Sequence, residues 1–319
     1  MCSLPVALAL DAAETGRQLG HDFYRCSRLH PANEWPPSVT EGFLHAQAQH
    51  TARQVPDRFQ RKWLQLRLGA YQRGRYVDAQ VTPALLSDID VATCPVLRIP
   101  LTHGERLGSD WSVDRLNNDG AYARSNLAVM CRTANAAKGQ KTLADVYALS
   151  GLPDGDAALE ALTPAQWLRL ASLMLGPCFA TRPQDAPLLP LVTPVPLHTV
   201  RQIGQCVQYV FTQLAGRQSG KNALIKAFSP ATEHTHLLRL RRLAEAVHQG
   251  LKHTPLCWDV WLQPGLMPLL RDWRSTLSNA QWGHCGEVSR QLAGACKVNP
   301  QRLQPWHLAS RGYQSARWR

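Results

Sequence analysis

No two of the nine cysteines form a C-x-x-C pair; they stand at 2, 26, 94, 131, 178, 206, 257, 285 and 296, without a repeated spacing. That excludes a zinc framework built from such pairs, and an odd, unpatterned set reads as reduced thiols in a cytosol rather than as a disulfide scaffold. No apolar run approaches the ~18 residues of a membrane span, so no membrane partner is expected. The opening MCSLPVALALDAAETGRQLG has a short apolar run with no basic residue before it and with Asp11 and Glu14 close behind, which makes a poor secretory signal. A cytoplasmic location is the expectation. No segment repeats at a fixed period. Charge is sparse as well, at 18% of residues against 45% hydrophobic, which excludes a largely disordered chain.

Among the charges, acid is scarce. Lys and Arg number 35 against 23 Asp and Glu, a formal charge of +12 over 319 residues, and residues 151–319 hold 18 basic side chains against 9 acidic ones. A polyanion is the natural partner of such a surface, and nucleic acid is the commonest one. At about 150 residues per domain the length fits two domains. The expected organisation is a helical N-terminal region with a basic helix over 1–80, a small unit over 81–150 whose character its motifs supply, and a basic helical, nucleic-acid-binding domain over 151–319.

Local signals place the elements. From Arg58 to Arg75 there are six basic residues and no acidic one, with Trp63, Leu64, Leu66 and Leu68 interleaved. This is a basic amphipathic helix, which either lays Arg61, Lys62 and Arg67 on a phosphate backbone or presents them to solvent. VTPALL predicts a short helix capped at Thr82 with Pro83 in its first turn, and CPVLRIPL an extended segment. WSVDR and NLAVMC are short apolar runs separated by Asn, Asp and Gly, a hairpin with a long loop, and RTANAAKGQKTLADVYALS is a helix interrupted at Gly139. Linkers are expected at GLPDGDAALEA and RPQDAPLLPLVTPVPLH. Further helices are expected over 163–176, 199–215, 220–228 and TEHTHLLRLRRLAEAVHQGL, the last with an apolar stripe at Leu237, Leu240, Leu243, Ala244 and Val247.

The hairpin and the helix behind it carry the chemistry. Asp114 ends the first run and Asn135 lies on the helix after the second, so a helix packed across the hairpin brings a carboxylate and an amide oxygen together. Two protein oxygens, with water and phosphate filling the other positions, are how Mg²⁺ is usually held. CPVLRIPL followed by WSVDRLNNDGAYARSNLAVMCRTANAAKG resembles the HNH, or ββα-metal, endonucleases, in particular a phage and mobile-element subgroup with a CPxxGxPL … SLDRI … GY … NVxxxxxxxNxxK pattern. The likeness covers roughly residues 60–145. It implies a mainly α protein with an embedded small ββα-metal (HNH-like) unit. It implies Asp114 and Asn135 as ligands of Mg²⁺ or Mn²⁺, Asn126 as the residue that holds the loop through backbone hydrogen bonds, and Lys138 as a basic side chain facing phosphate. DNA is the implied partner.

Two departures qualify the resemblance. Most members carry a His general base directly after the Asp; Arg115 stands there, and a guanidinium stays protonated at any working pH. Arg115 is then a phosphate clamp, and His103 and Asp119 are the candidate bases. Many members also tie the unit together with two C-x-x-C pairs, whereas Leu97 and Ala134 take the partner positions of Cys94 and Cys131. No structural zinc is expected, and both cysteines are expected to be small core residues.

Other motifs are set aside. AGRQSGKNALIK has the wrong spacing for a phosphate loop and Asn222 where Ser or Thr should stand, so no nucleotide cofactor is expected. EHTHLLR and WGHCGE complete no metal spacing. Trp258, Trp261 and Trp273 read as core, and the segment from Lys297 onward, basic with Trp306, Tyr313 and Trp318, reads as either a nucleic-acid-binding tail or a solvated terminus. Two functions remain: a metal-dependent DNA endonuclease, or a catalytically inactive protein that keeps the same shape as a DNA-binding scaffold.

Overall fold

The computed structural model describes residues 6–26, 34–151, 161–193 and 202–295. It is mainly helical, with one two-stranded antiparallel sheet. The linker at 151–161 lies almost wholly outside the described residues, and so does the basic segment from Lys297 onward. Packing divides the chain into two units where three segments were expected. One unit holds the described residues through Asp90 together with Asp119–Leu127; the other holds Val91–Asn118 and the described residues from Ala128 onward.

The first unit is built from α1 (Val6–Cys26), α2 (Pro37–Ala48), α3 (Arg58–Gln72) and α4 (Pro83–Asp88). Its core is Leu19, Phe23, Val39, Phe43 and Leu64, with Trp35 against Phe23 at a ring separation of 4.6 Å. Helices α1 and α2 approach closely because each offers a glycine: a β-carbon on Gly20 would sit 1.9 Å from the Val39 carbonyl oxygen, and one on Gly42 would sit 1.9 Å from that of Arg17. Asp57 and Gln60 form a capping box at the start of α3, and Thr82 caps α4 by accepting from the Leu85 amide at 3.2 Å. The segment 119–127 belongs here through a parallel bridge of Tyr122 to Val77 and a bond from Arg73 to the Tyr122 hydroxyl at 2.9 Å.

The second unit has one continuous apolar core running from Cys94 and Leu116 through Trp167, Phe211 and Val247 to Val288. A boundary at residue 150 would cut through it. Its elements are β1 (Trp111–Arg115), β2 (Leu127–Cys131), α5 (Arg132–Lys138), α6 (Leu143–Leu149), α7 (Pro164–Cys178), α8 (Ile203–Leu214), α9 (Gln218–Phe228), α10 (Leu237–His253), α11 (Leu266–Ser275) and α12 (Asn279–Ala295). Gly139, at φ +48°, ends α5, so the helix expected across it becomes two. Buried side chains meet the backbone of the proline-rich stretch before residue 194: Gln208 donates to the Leu189 carbonyl and accepts from the Leu191 amide, both at 2.8 Å, and Ser172 donates to Pro190 at 2.7 Å. Trp258, Trp261 and Trp273 are all buried.

CPVLRIPL is not extended. It turns back on itself, with the Cys94 amide bonded to the Ile99 carbonyl and the Arg98 amide to the Cys94 carbonyl, both at 2.8 Å. Arg98 takes φ +59° in this turn, and its guanidinium holds Asp259 through both carboxylate oxygens, at 2.5 and 2.6 Å. An apolar, β-branched run reads as a strand; here its own backbone bonds close a turn, and a long-range ion pair that periodicity does not encode anchors it.

Candidate functional site

The site stands on β1 and α5. Successive strand residues point to opposite faces, so Ser112 and Asp114 share one face of β1. Helix α5 lies against that face. Asn135 donates from Nδ2 to Ser112 Oγ at 2.7 Å, and one turn later the Lys138 ammonium sits 3.0 Å from Asp114 Oδ2. The start of α5 is fixed by Cys131, whose sulfur accepts from the Ala134 amide at 3.5 Å, and by the Thr133 amide bonding the Gly108 carbonyl at 3.0 Å.

Lys138 is 0% exposed, so it does not face phosphate as the resemblance implied. Its hydrogen bonds go to the Arg115 carbonyl at 2.8 Å and to Asn118 Oδ1 at 2.9 Å. Those two partners orient the ammonium, which meets Asp114 at ion-pair distance but away from hydrogen-bond geometry, so the buried Oδ2 has no hydrogen-bond partner. Burial raises the Asp114 carboxyl above the usual carboxylate range, and the Lys138 charge opposes that shift.

Arg115 is also buried, and its Nη1 donates to the Asn118 carbonyl at 2.9 Å. A guanidinium used to close the turn after β1 does not reach out as a phosphate clamp. Asn118 gathers these contacts, donating from Nδ2 to the carbonyls of Gly139 at 3.1 Å and Lys141 at 3.4 Å. Sequence reasoning saw it only as a turn residue. Asn126, 0% exposed, donates from Nδ2 to the Ala121 carbonyl at 2.9 Å and so braces its loop from within.

The candidate bases are both exposed. His103 is exposed in the loop before β1, and its ring packs edge-on against Trp111 at 5.4 Å. Trp111 and Asp114 are three residues apart on one strand, so their side chains point to opposite faces. The loop is tied by Asp110, which accepts from Thr102 Oγ1 at 2.7 Å and from the Glu105 and Arg106 amides at 3.1 and 2.7 Å, holding its carboxyl below the ordinary range. Asp119 is exposed and belongs to the first unit.

Of the basic residues expected on phosphate from α3, Arg61 is exposed, with Nη1 on the Pro56 carbonyl at 3.0 Å, and Lys62 is half-buried. Arg67 is engaged internally, paired with Asp22 at 2.5 Å and stacked over Trp63 at 4.2 Å.

The donor set suits a hard dication in its chemistry. Asp114 offers a buried carboxylate whose Oδ2 is paired with the Lys138 ammonium, and Asn135, anchored by its Nδ2, has its Oδ1 on the other side of the amide. Oxygen donors this few suit Mg²⁺, which keeps several waters. Among the described residues no group of three or more His, Cys, Asp and Glu is placed to hold a metal, and Cys94 and Cys131 are buried without further ligands of that kind. No helix among the described residues is long and apolar enough to cross a membrane. No family model matches this chain, and no curated protein or solved structure does so either.

Proposed function

We propose that this protein is an HNH-type DNA endonuclease dependent on Mg²⁺ or Mn²⁺, with β1, β2 and α5 as its ββα unit. One observation carries the reading: Asp114, Asn135 and Lys138 converge on a single face of β1, with Asn135 bonded to Ser112 and Lys138 paired to Asp114. Asp114 and Asn135 would hold the ion, whose chemistry is to polarise the scissile phosphate and stabilise the departing oxygen. Lys138 positions Asp114 from inside, and Asn118 and Arg115 fix the turn that follows. The excess of basic over acidic side chains in residues 151–319 supplies affinity for the phosphate backbone, so binding weakens steeply as salt rises.

The second reading, a non-catalytic DNA-binding scaffold, is favoured by the same Lys138. A buried ammonium 3.0 Å from the carboxylate already neutralises the charge that a dication would meet. Supercoiled plasmid incubated with Mg²⁺ or Mn²⁺ separates the two. The endonuclease reading expects nicking by the parent and its loss in Asp114→Asn, which keeps the side-chain shape, with DNA affinity retained. DNA binding without cleavage in either metal leaves the scaffold.

A further inference from the structure

Cys94 and Cys131 are both 0% exposed and lie side by side, the Cys131 amide donating to the Cys94 sulfur at 3.3 Å. That sulfur also accepts from the Leu97 amide at 3.4 Å. Arg169 adds a positive charge nearby: its Nη1 reaches the Val96 carbonyl at 3.1 Å, its buried Nε has no hydrogen-bond partner, and its charge is coupled electrostatically to Cys94. Two amides, with a guanidinium nearby, thus favour negative charge on the Cys94 sulfur. Cys94 is held below the ordinary thiol range by the Cys131 hydrogen bond and the amides, while Cys131, the donor to that charge, is pushed above it. Core packing alone asks for none of this, since a buried cysteine in apolar surroundings is an inert small side chain.

We infer that Cys94 and Cys131 are a redox-active pair, with Cys94 the attacking thiolate and Cys131 the resolving thiol, closed to a disulfide by a hydroperoxide. The Cys94 sulfur attacks one peroxide oxygen; the S–O bond forms, the O–O bond breaks, and the departing alkoxide or hydroxide takes a proton, leaving a sulfenic acid on Cys94. The Cys131 sulfur then attacks that of Cys94. An S–S bond forms, the S–O bond breaks, and the leaving hydroxide combines with the Cys131 proton as water. Two thiols are oxidised to a disulfide, and the peroxide is reduced to an alcohol, or water, and water. The product ties the 93–100 turn covalently to the N-terminal cap of α5, the helix that carries Asn135 and Lys138. This inference stands whether or not the chain cleaves DNA.

Exposure and chemistry make opposite predictions, because Cys257 is exposed while the pair is closed to solvent. The folded, reduced protein is treated with hydrogen peroxide, alkylated under denaturing conditions and mapped by mass spectrometry. The expected result is the loss of two of the nine thiols and a cross-linked peptide joining Cys94 to Cys131. In Cys131→Ser the reaction stops one step earlier, and a sulfenic-acid probe labels Cys94; Cys94→Ser leaves Cys131 unlabelled. Oxidation of Cys257 with Cys94 and Cys131 recovered as free thiols overturns the inference. The parent map decides the matter even if the variants fail to fold.

Discussion

Replacing Lys138 with methionine tests whether a buried ion pair holds β1 to α5. Methionine keeps much of the side-chain volume and none of the donors. In the parent the ammonium is fully buried, 3.0 Å from Asp114 Oδ2, with bonds to the Arg115 carbonyl and Asn118 Oδ1. Removing one partner of a buried pair strands the other, at about 3–5 kcal/mol. The two abandoned acceptors add little if water reaches them, on the order of 1 kcal/mol. Urea unfolding should therefore shift by about 1–5 M at a slope of roughly 1–3 kcal/mol/M. Hydrogen exchange of the β1 and α5 amides localises the loss, since a chain of two units need not unfold in one step. The sign with pH follows from the carboxyl. Asp114 already titrates above its ordinary value because it is buried, and without Lys138 it rises further. A carboxyl raised in the folded state contributes stability that is full below its unfolded value and lost as pH rises through the folded one. The deficit of Lys138→Met should thus be greatest at neutral pH and shrink below about pH 4. Adding Asp114→Asn removes the stranded charge and should recover most of the loss. A single variant within about 0.5 kcal/mol of the parent at pH 7, or a double variant no better than the single, would refute the reasoning.

Other outcomes follow from single residues. Gly20→Ala places a methyl against the Val39 carbonyl, backbone that cannot swing aside, and should destabilise the first unit by about 1–3 kcal/mol, read as faster exchange of α1 and α2 amides. Asp110 should titrate below its ordinary value by carbonyl NMR, and because its shift is downward the stability it lends the 102–110 loop is present above about pH 4 and lost as pH falls through the folded value; an Asp110→Asn protein with unchanged Glu105 and Arg106 amide exchange would argue against that tie. If the plasmid assay shows cleavage, His103→Ala should cut at the parental rate, because its ring packs on Trp111; a fall of roughly 10² to 10⁴ would return it to the role of base.

Much of the local structure was legible in the sequence. Thr82 with Pro83 marked the start of α4, the Asn, Asp and Gly residues between two apolar runs marked the hairpin, and the stripe through Leu240, Leu243, Ala244 and Val247 is the buried face of α10. Each rests on chemistry within a few residues of itself. What was not legible was set at long range. The turn at Arg98 is anchored to Asp259, 161 residues later, and one core joins Cys94 to Val288 across the boundary expected at 150. The internal use of Arg67 depends on Asp22, 45 residues earlier. Charge along α3 reads the same whether its arginines meet solvent, phosphate or an acidic neighbour.

Lys138 shows why a site can be read for its residues and misread for their roles. Asn135 and Lys138 are three apart on a helix, so the sequence does place them on one face, and that face meets β1. Nothing local says that the lysine points in. It does so because three oxygens wait there: the Arg115 carbonyl, the Asn118 amide and the Asp114 carboxylate, all brought together by the turn after β1. A buried ammonium survives only with such partners. The arrangement then constrains the chemistry proposed for the site. The lysine occupies the Oδ2 side of Asp114, and Oδ2 is closed to solvent, so the exposure of that side chain, 12%, falls on its other atoms. A cation arriving from solvent meets the carboxylate from that side, across from Lys138, with its charge partly neutralised. Under the endonuclease reading, metal affinity should be weak in the absence of DNA, with phosphate oxygens completing the binding. Titration of Mn²⁺ with and without a DNA duplex measures the difference, and affinity that is tight and indifferent to DNA would mean that the ion binds elsewhere.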